Sequence, residues 1–80
     1  MIAAQCKMAR AALGLGVREL AKLAAVSPDT VARLERGEFL RQGTVAAIRS
    51  ALETAGVAFV PENGGGAGVR LRKPSGTSPA

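Results

Sequence analysis

The sequence predicts a mainly α fold, four short helices followed by a short C-terminal β-hairpin. Three observations carry that prediction. Apolar residues recur at spacings of three and four through residues 2–55, the period of one helix face. Serine, proline and glycine stand where such helices would start and stop. Past Gly56 the helical period gives way to short β-branched and aromatic runs separated by turn residues.

Eighty residues make one small domain, which buries only roughly 60% of the surface its unfolded chain exposes. Sixteen alanines, two phenylalanines and no Trp or Tyr favour close helix–helix contacts over a wide sandwich. The lone Cys6 excludes an internal disulfide or a thiolate zinc cluster. Histidine is absent, which removes the commonest general base and the commonest metal ligand. An enzyme is therefore not expected, nor is a cofactor. Eleven basic against six acidic residues give a formal charge of +5, a balance that suits an anionic partner such as nucleic acid. No apolar run reaches the ~20 residues of a membrane span, and the first residues lack the layout of a secretory signal. A cytoplasmic, nucleoid-associated protein is the expectation.

The first helix carries the stripe Ile2, Cys6, Ala9 and Leu13 and stops at Gly14. The second fits Val17 to Ala24, with Leu20, Ala21 and Ala24 inward, Gly16 at the N-cap and Glu19 three residues on, able to reach back to the cap N–H. Leu23 lies on its outward face and is a candidate for an interface. Only Ala25 and Val26 separate it from the third helix. That helix opens with Ser27 as cap, Pro28 at the first position and Asp29 in the first turn, where the helix dipole favours a negative charge. Val31 and Leu34 face inward, and Gly37 stops it. After a loop over 38–43, a fourth helix fits Thr44 to Ala55 with Val45, Ile48 and Leu52 on one face, Thr44 as cap and Gly56 at the end. Phe39 and Leu40, in the loop, are expected to tuck under the domain, with a dimer contact as the second reading. Residues 57–60 and 69–72 read as two strands, joined by a glycine-rich loop. Residues 73–80, with two Pro, two Ser and a Gly, read as a disordered tail.

Two short helices on a tight turn, the second with basic residues outward, make a helix-turn-helix. Such a unit needs small residues where the helices cross, which Ala21 supplies, and an outward face on the second helix to enter a DNA groove. Pro28, Asp29, Thr30, Ala32, Arg33 and Arg36 are left facing out.

The run from Leu20 to Gly37, LAKLAAVSPDTVARLERG, resembles the helix-turn-helix of the phage repressor/Cro family, also called the xenobiotic-response-element family. The likeness extends upstream to Arg10 and Leu13-Gly-Leu15 and downstream to residues 44–52, covering about residues 2–56 as a repressor-like domain. The resemblance implies that Pro28, Asp29 and Arg33 face bases and that the Thr30 hydroxyl meets a phosphate. It implies backbone contacts from Arg36, Arg41 and Gln42, and an ion pair between Arg10 and Glu35. Two positions depart from the family pattern. Val17 stands where an amide usually grips phosphate, so anchoring there rests on backbone N–H groups of Val17 and Arg18, helped by the Arg18 side chain. Ala25 stands where the turn usually has glycine, and a positive φ there costs roughly 1 kcal/mol.

Arg33 is the better candidate for base reading, because arginine bidentate to guanine is the commonest specific contact. The other reading is a solvated arginine on a helix face. Asp29 either accepts from cytosine N4 or only stabilises the helix start. The leading functional expectation is a sequence-specific DNA-binding transcriptional regulator, an operator-occupying repressor acting as a homodimer on palindromic double-stranded DNA. The hairpin over 57–72 is the expected dimerisation element, since an open strand edge can pair across a two-fold axis. The alternative is a hairpin folded back on its own domain, with dimerisation only on DNA through Leu23 or the Phe39–Leu40 loop. The second function class is an antitoxin or antiactivator whose main work is binding a partner protein.

Overall fold

The computed structural model describes residues 1–62 and 64–72. The predicted tail over 73–80 lies outside the described residues. Four helices, α1 (Ala3–Leu13), α2 (Val17–Ala24), α3 (Pro28–Glu35) and α4 (Gln42–Ala55), precede an antiparallel hairpin of β1 (Val57–Val60) and β2 (Gly68–Leu71). None of the described helices is long and apolar enough to cross a membrane.

The first three helices end in the same way. In each, an N–H just past the helix reaches a carbonyl five residues back, and the preceding N–H reaches three back: Leu15 to Arg10 and Gly14 to Ala11, Val26 to Ala21 and Ala25 to Lys22, and, one residue further beyond its helix, Glu38 to Arg33 and Gly37 to Leu34. This is the Schellman arrangement, and it demands a left-handed residue at the corner. Gly14 (φ 70°) and Gly37 (φ 87°) meet the demand freely; Ala25 (φ 59°) meets it with a Cβ in place. The alanine takes the left-handed conformation because the closing bonds and the packing of α2 on α3 leave no other.

The starts follow local chemistry. The Ser27 Oγ accepts the Thr30 N–H at 3.1 Å, with Pro28 at the first helical position. Glu19 Oε1 accepts the Gly16 N–H at 2.7 Å. Two expectations fail here. Ile2 does not join the inward stripe; it caps α1 and is 55% exposed. Helix α4 starts at Gln42 rather than Thr44, with Arg41 as its N-cap and no side-chain cap bond, so Thr44 lies inside the helix and no cap residue marks the true start.

Cys6, Ala9, Leu20, Ala21, Val31, Ile48, Leu52 and Val57 form a core closed to solvent. Each fully buried Leu, Ile or Val contributes about 1.5–3 kcal/mol. Because Val57 belongs to that core, the hairpin is part of it. Strand β2 packs on α1 and β1 on α4. Gln5, 5% exposed, donates its Nε2 to the carbonyls of Val60 and Gly68, both at 3.1 Å, while its Oε1 accepts the Ile2 N–H at 2.9 Å. One buried amide thus caps α1 and fastens both strands. The Arg49 guanidinium sits 5.1 Å from the Phe59 ring centroid, a cation–π contact between α4 and β1. The hairpin is folded back on its own domain. Its second strand runs Gly68–Leu71, one residue earlier than 69–72, because Val57 pairs with Leu71 and Val60 with Gly68.

Candidate nucleic-acid interface

Helix α3 has one inner and one outer side. Val31 and Leu34 are buried against α1 and α2, and that fixes which residues remain outside. Thr30, Arg33 and Arg41 line one shallow hollow with Ser27, Phe39 and Thr44. The structure thus brings together three of the sequence-predicted contact residues, from α3 and from the start of α4. Pro28 and Asp29 are exposed on the first turn of α3, beside that hollow's Ser27 rim. The Thr30 hydroxyl is already engaged, 2.8 Å from the Ser27 Oγ.

Arg33 and Arg36 converge on a residue the sequence reading passed over. Glu38 Oε1 accepts from Arg33 Nε at 3.0 Å, and Glu38 Oε2 accepts from Arg36 Nε at 3.0 Å and Nη2 at 2.8 Å. The two guanidiniums hold the Glu38 carboxyl below the usual carboxylate range, Arg33 contributing most. The spacing of five from Arg33 to Glu38 is not a helical neighbour spacing. The chain reversal at Gly37 produces the contact, through the bond from the Glu38 N–H to the Arg33 carbonyl. The legible signal was the Arg-Gly-Glu run itself: a left-handed glycine just past a helix folds the next residue back over the last turn.

At the start of α2, the first-turn N–H groups of Val17 and Arg18 have no intrahelical carbonyl to bond. The Val17 side chain packs against the core and Arg18 is exposed. Gln42, at the first position of α4, lies away from the hollow. It lines a second groove with Ile2, Leu34, Glu38, Phe39 and Val45. Phe39 does not tuck under the domain; it is 94% exposed on the ridge between the two grooves, while Leu40 is half-buried. The chain turns inward one residue later than the hydropathy pattern suggested. Leu23 is exposed, as its outward position predicted.

Behind the surface, Arg10 and Glu35 meet in a two-pronged pair. Nε donates to Oε2 and Nη2 to Oε1, both at 2.9 Å, and Nη1 donates to the Leu15 carbonyl at 3.2 Å. Cys6 Sγ donates to Glu35 Oε2 at 3.4 Å. Burial, then that hydrogen bond, pushes the Cys6 thiol up to about 12. The thiol is therefore a neutral donor inside the core and not a nucleophile. Arg10 holds the Glu35 carboxyl below its ordinary range. The pair ties α1 and the α1–α2 turn to the end of α3, and so sets the attitude of the basic surface. No protein-family model matches this chain, and no curated protein matches it.

Proposed function

We propose that this protein is a sequence-specific DNA-binding transcriptional regulator, an operator-occupying repressor that acts in the cytoplasm, on the nucleoid, as a homodimer without a cofactor. The observation that carries the reading is the hollow shared by Thr30, Arg33 and Arg41 on the outer side of a helix whose inner side is buried. A short helix on a tight turn with basic and hydroxyl groups outward suits a major groove, with Arg33 toward bases and Arg41 toward phosphate. The resemblance of residues 20–37 to the phage repressor/Cro family supports the same reading.

Open strand edges support the dimer. The bond from the Arg72 N–H to the Gly56 carbonyl sets the parity of the ladder. Val57, Phe59, Val69 and Leu71 therefore turn their backbone groups away from the partner strand. Of the two strands, β2 has the more exposed residues, Leu71 at 54%.

The test is binding to duplex DNA from upstream of the protein's own gene, followed by footprinting. Arg33→Ala is expected to lose about 1–3 kcal/mol at one guanine per half-site. Arg41→Ala weakens all sequences alike and flattens the salt dependence by about one unit of slope. Sedimentation of Leu71→Asp, which charges the open edge, checks the dimer. Absence of any duplex preferred over random DNA at physiological salt overturns the reading.

The exposed Phe39 favours a second reading. It rims the apolar groove of Ile2, Leu34 and Val45, a surface suited to a partner protein in an antitoxin or antiactivator. A stoichiometric protein partner with no DNA shift at physiological salt supports it.

A further inference from the structure

Glu38 is an acidic residue amid groups proposed to meet phosphate, where a carboxylate repels DNA. Its contacts are specific. Arg33 gives it only Nε, so the hydrogen bonds described for Arg33 leave its terminal Nη1 and Nη2 uncommitted. Arg36 gives it Nε and Nη2 and is the more fully occupied of the two. The Nη1–Nη2 end of a guanidinium is the fork that grips guanine O6 and N7. A carboxylate on Nε therefore leaves that fork free and restricts the long side chain that carries it. Glu38 is itself held from behind, because its N–H is bonded to the carbonyl of Arg33 and its other oxygen to Arg36.

We infer that Glu38 is a specificity-determining positioning residue, which holds the Arg33 fork toward a guanine and weakens attachment to DNA of any sequence. The inference rests on the DNA-binding reading above. Glu38 contacts no base itself; it acts by sparing Arg33 the ordering that a free arginine undergoes on binding. It also offsets one of the two positive charges that would otherwise serve any phosphate.

The experiment uses the full chain and a pool of duplexes with a randomised core. The preferred duplex is compared with its single G·C→A·T variants and with random duplex, for the wild type, Glu38→Ala, Glu38→Gln, Arg33→Ala and the double variant Arg33→Ala/Glu38→Ala. Thermal melting confirms that each is folded, which is expected because Glu38 and Arg33 lie at the surface. In the wild type, discrimination at the guanine read by Arg33 is expected at about 5- to 150-fold. Glu38→Ala reduces that discrimination by about 2- to 12-fold, the cost of ordering one long side chain, while its affinity for random duplex rises. Glu38→Gln keeps an oxygen for Arg33 Nε, so it raises affinity for random duplex like the alanine variant but retains more of the discrimination. In the Arg33→Ala background, Glu38→Ala changes discrimination no further.

Equal gains for every duplex with discrimination unchanged reduce Glu38 to a charge and overturn the inference. Any further loss of discrimination on removing Glu38 in the Arg33→Ala background also overturns it, by showing that Glu38 does not act through Arg33. A wild type that prefers no duplex over random DNA overturns the DNA-binding reading, and this inference with it.

Discussion

Helix α3 ends between two carboxylates that each bind arginine, three residues apart, with opposite consequences. Glu35 is 8% exposed and is held by one arginine, Arg10, through two parallel bonds at 2.9 Å. Glu38 is 43% exposed and is shared by Arg33 and Arg36. Each carboxylate accepts three side-chain hydrogen bonds, Glu35 taking its third from Cys6. By effect on the fold Glu38 is the poorer centre, because solvent screens its attractions and offers each partner an equivalent alternative. Glu35 has no such alternative: losing Arg10 would leave a buried charge unpaired. The same chemistry thus fastens the fold at one end of a turn of backbone and gathers only exposed arginine side chains at the other.

The largest expected effect breaks the buried side. Glu35→Ala should destabilise the protein by about 2–3 kcal/mol, since it strands the Arg10 guanidinium and removes the acceptor of Cys6. Thermal unfolding reads this as a drop of about 4–8 °C per kcal/mol. A double-mutant cycle with Arg10→Ala should show clear coupling, and a loss no larger than an exposed pair's ~0–1 kcal/mol would erase the contrast. Acid sharpens the same point. A carboxyl whose folded pKa is depressed contributes stability that is complete above its unfolded pKa, near 4.3, and is lost as pH falls through the folded value. Arg10 depresses Glu35, so stability should decline below about pH 4.3. In Glu35→Gln that part of the decline should vanish in a pH series of denaturant titrations.

Ala25→Gly supplies a yardstick without charge. Relieving the left-handed alanine should stabilise the protein by about 1 kcal/mol, with no dependence on salt or pH. A loss of stability would mean that glycine's extra freedom in the unfolded chain outweighs the strain at φ 59°. The smallest effect belongs to Glu38→Ala, whose melting temperature should match the wild type at high salt, where screening removes what little the exposed trio contributes.

The helices were legible where caps announce them. Gly16 with Glu19 and Ser27 with Pro28 put the starts of α2 and α3 at the residues the sequence predicts, and the Gly14 and Gly37 corners mark two ends. The start of α4 was hidden because Arg41 caps it with backbone alone. Phe39 misled because hydropathy says that a phenylalanine prefers burial and not whether the chain has room to turn it inward. The outward set on α3 was readable from helical period, since Val31 and Leu34 declare the inner side. Glu38 and Gln5 were not readable from period. One is brought to its partners by a backbone reversal, the other by strands more than fifty residues away.

The Gln5 amide has a consequence for how the molecule is made. A chain synthesised from its amino end can pair α2 with α3 and α4 while later residues are still being added. Helix α1 cannot complete its contacts then, because Gln5 bonds to the carbonyl of Gly68, 63 residues on, and strand β2 covers the helix. Until β2 emerges, the nascent polypeptide therefore holds the Gln5 amide without its two carbonyl partners. Closing so long a span costs loop entropy before any contact rewards it. A message broken after Gly56 would yield no smaller working unit but a chain lacking Val57 and unable to close its own interior, a ready substrate for proteases.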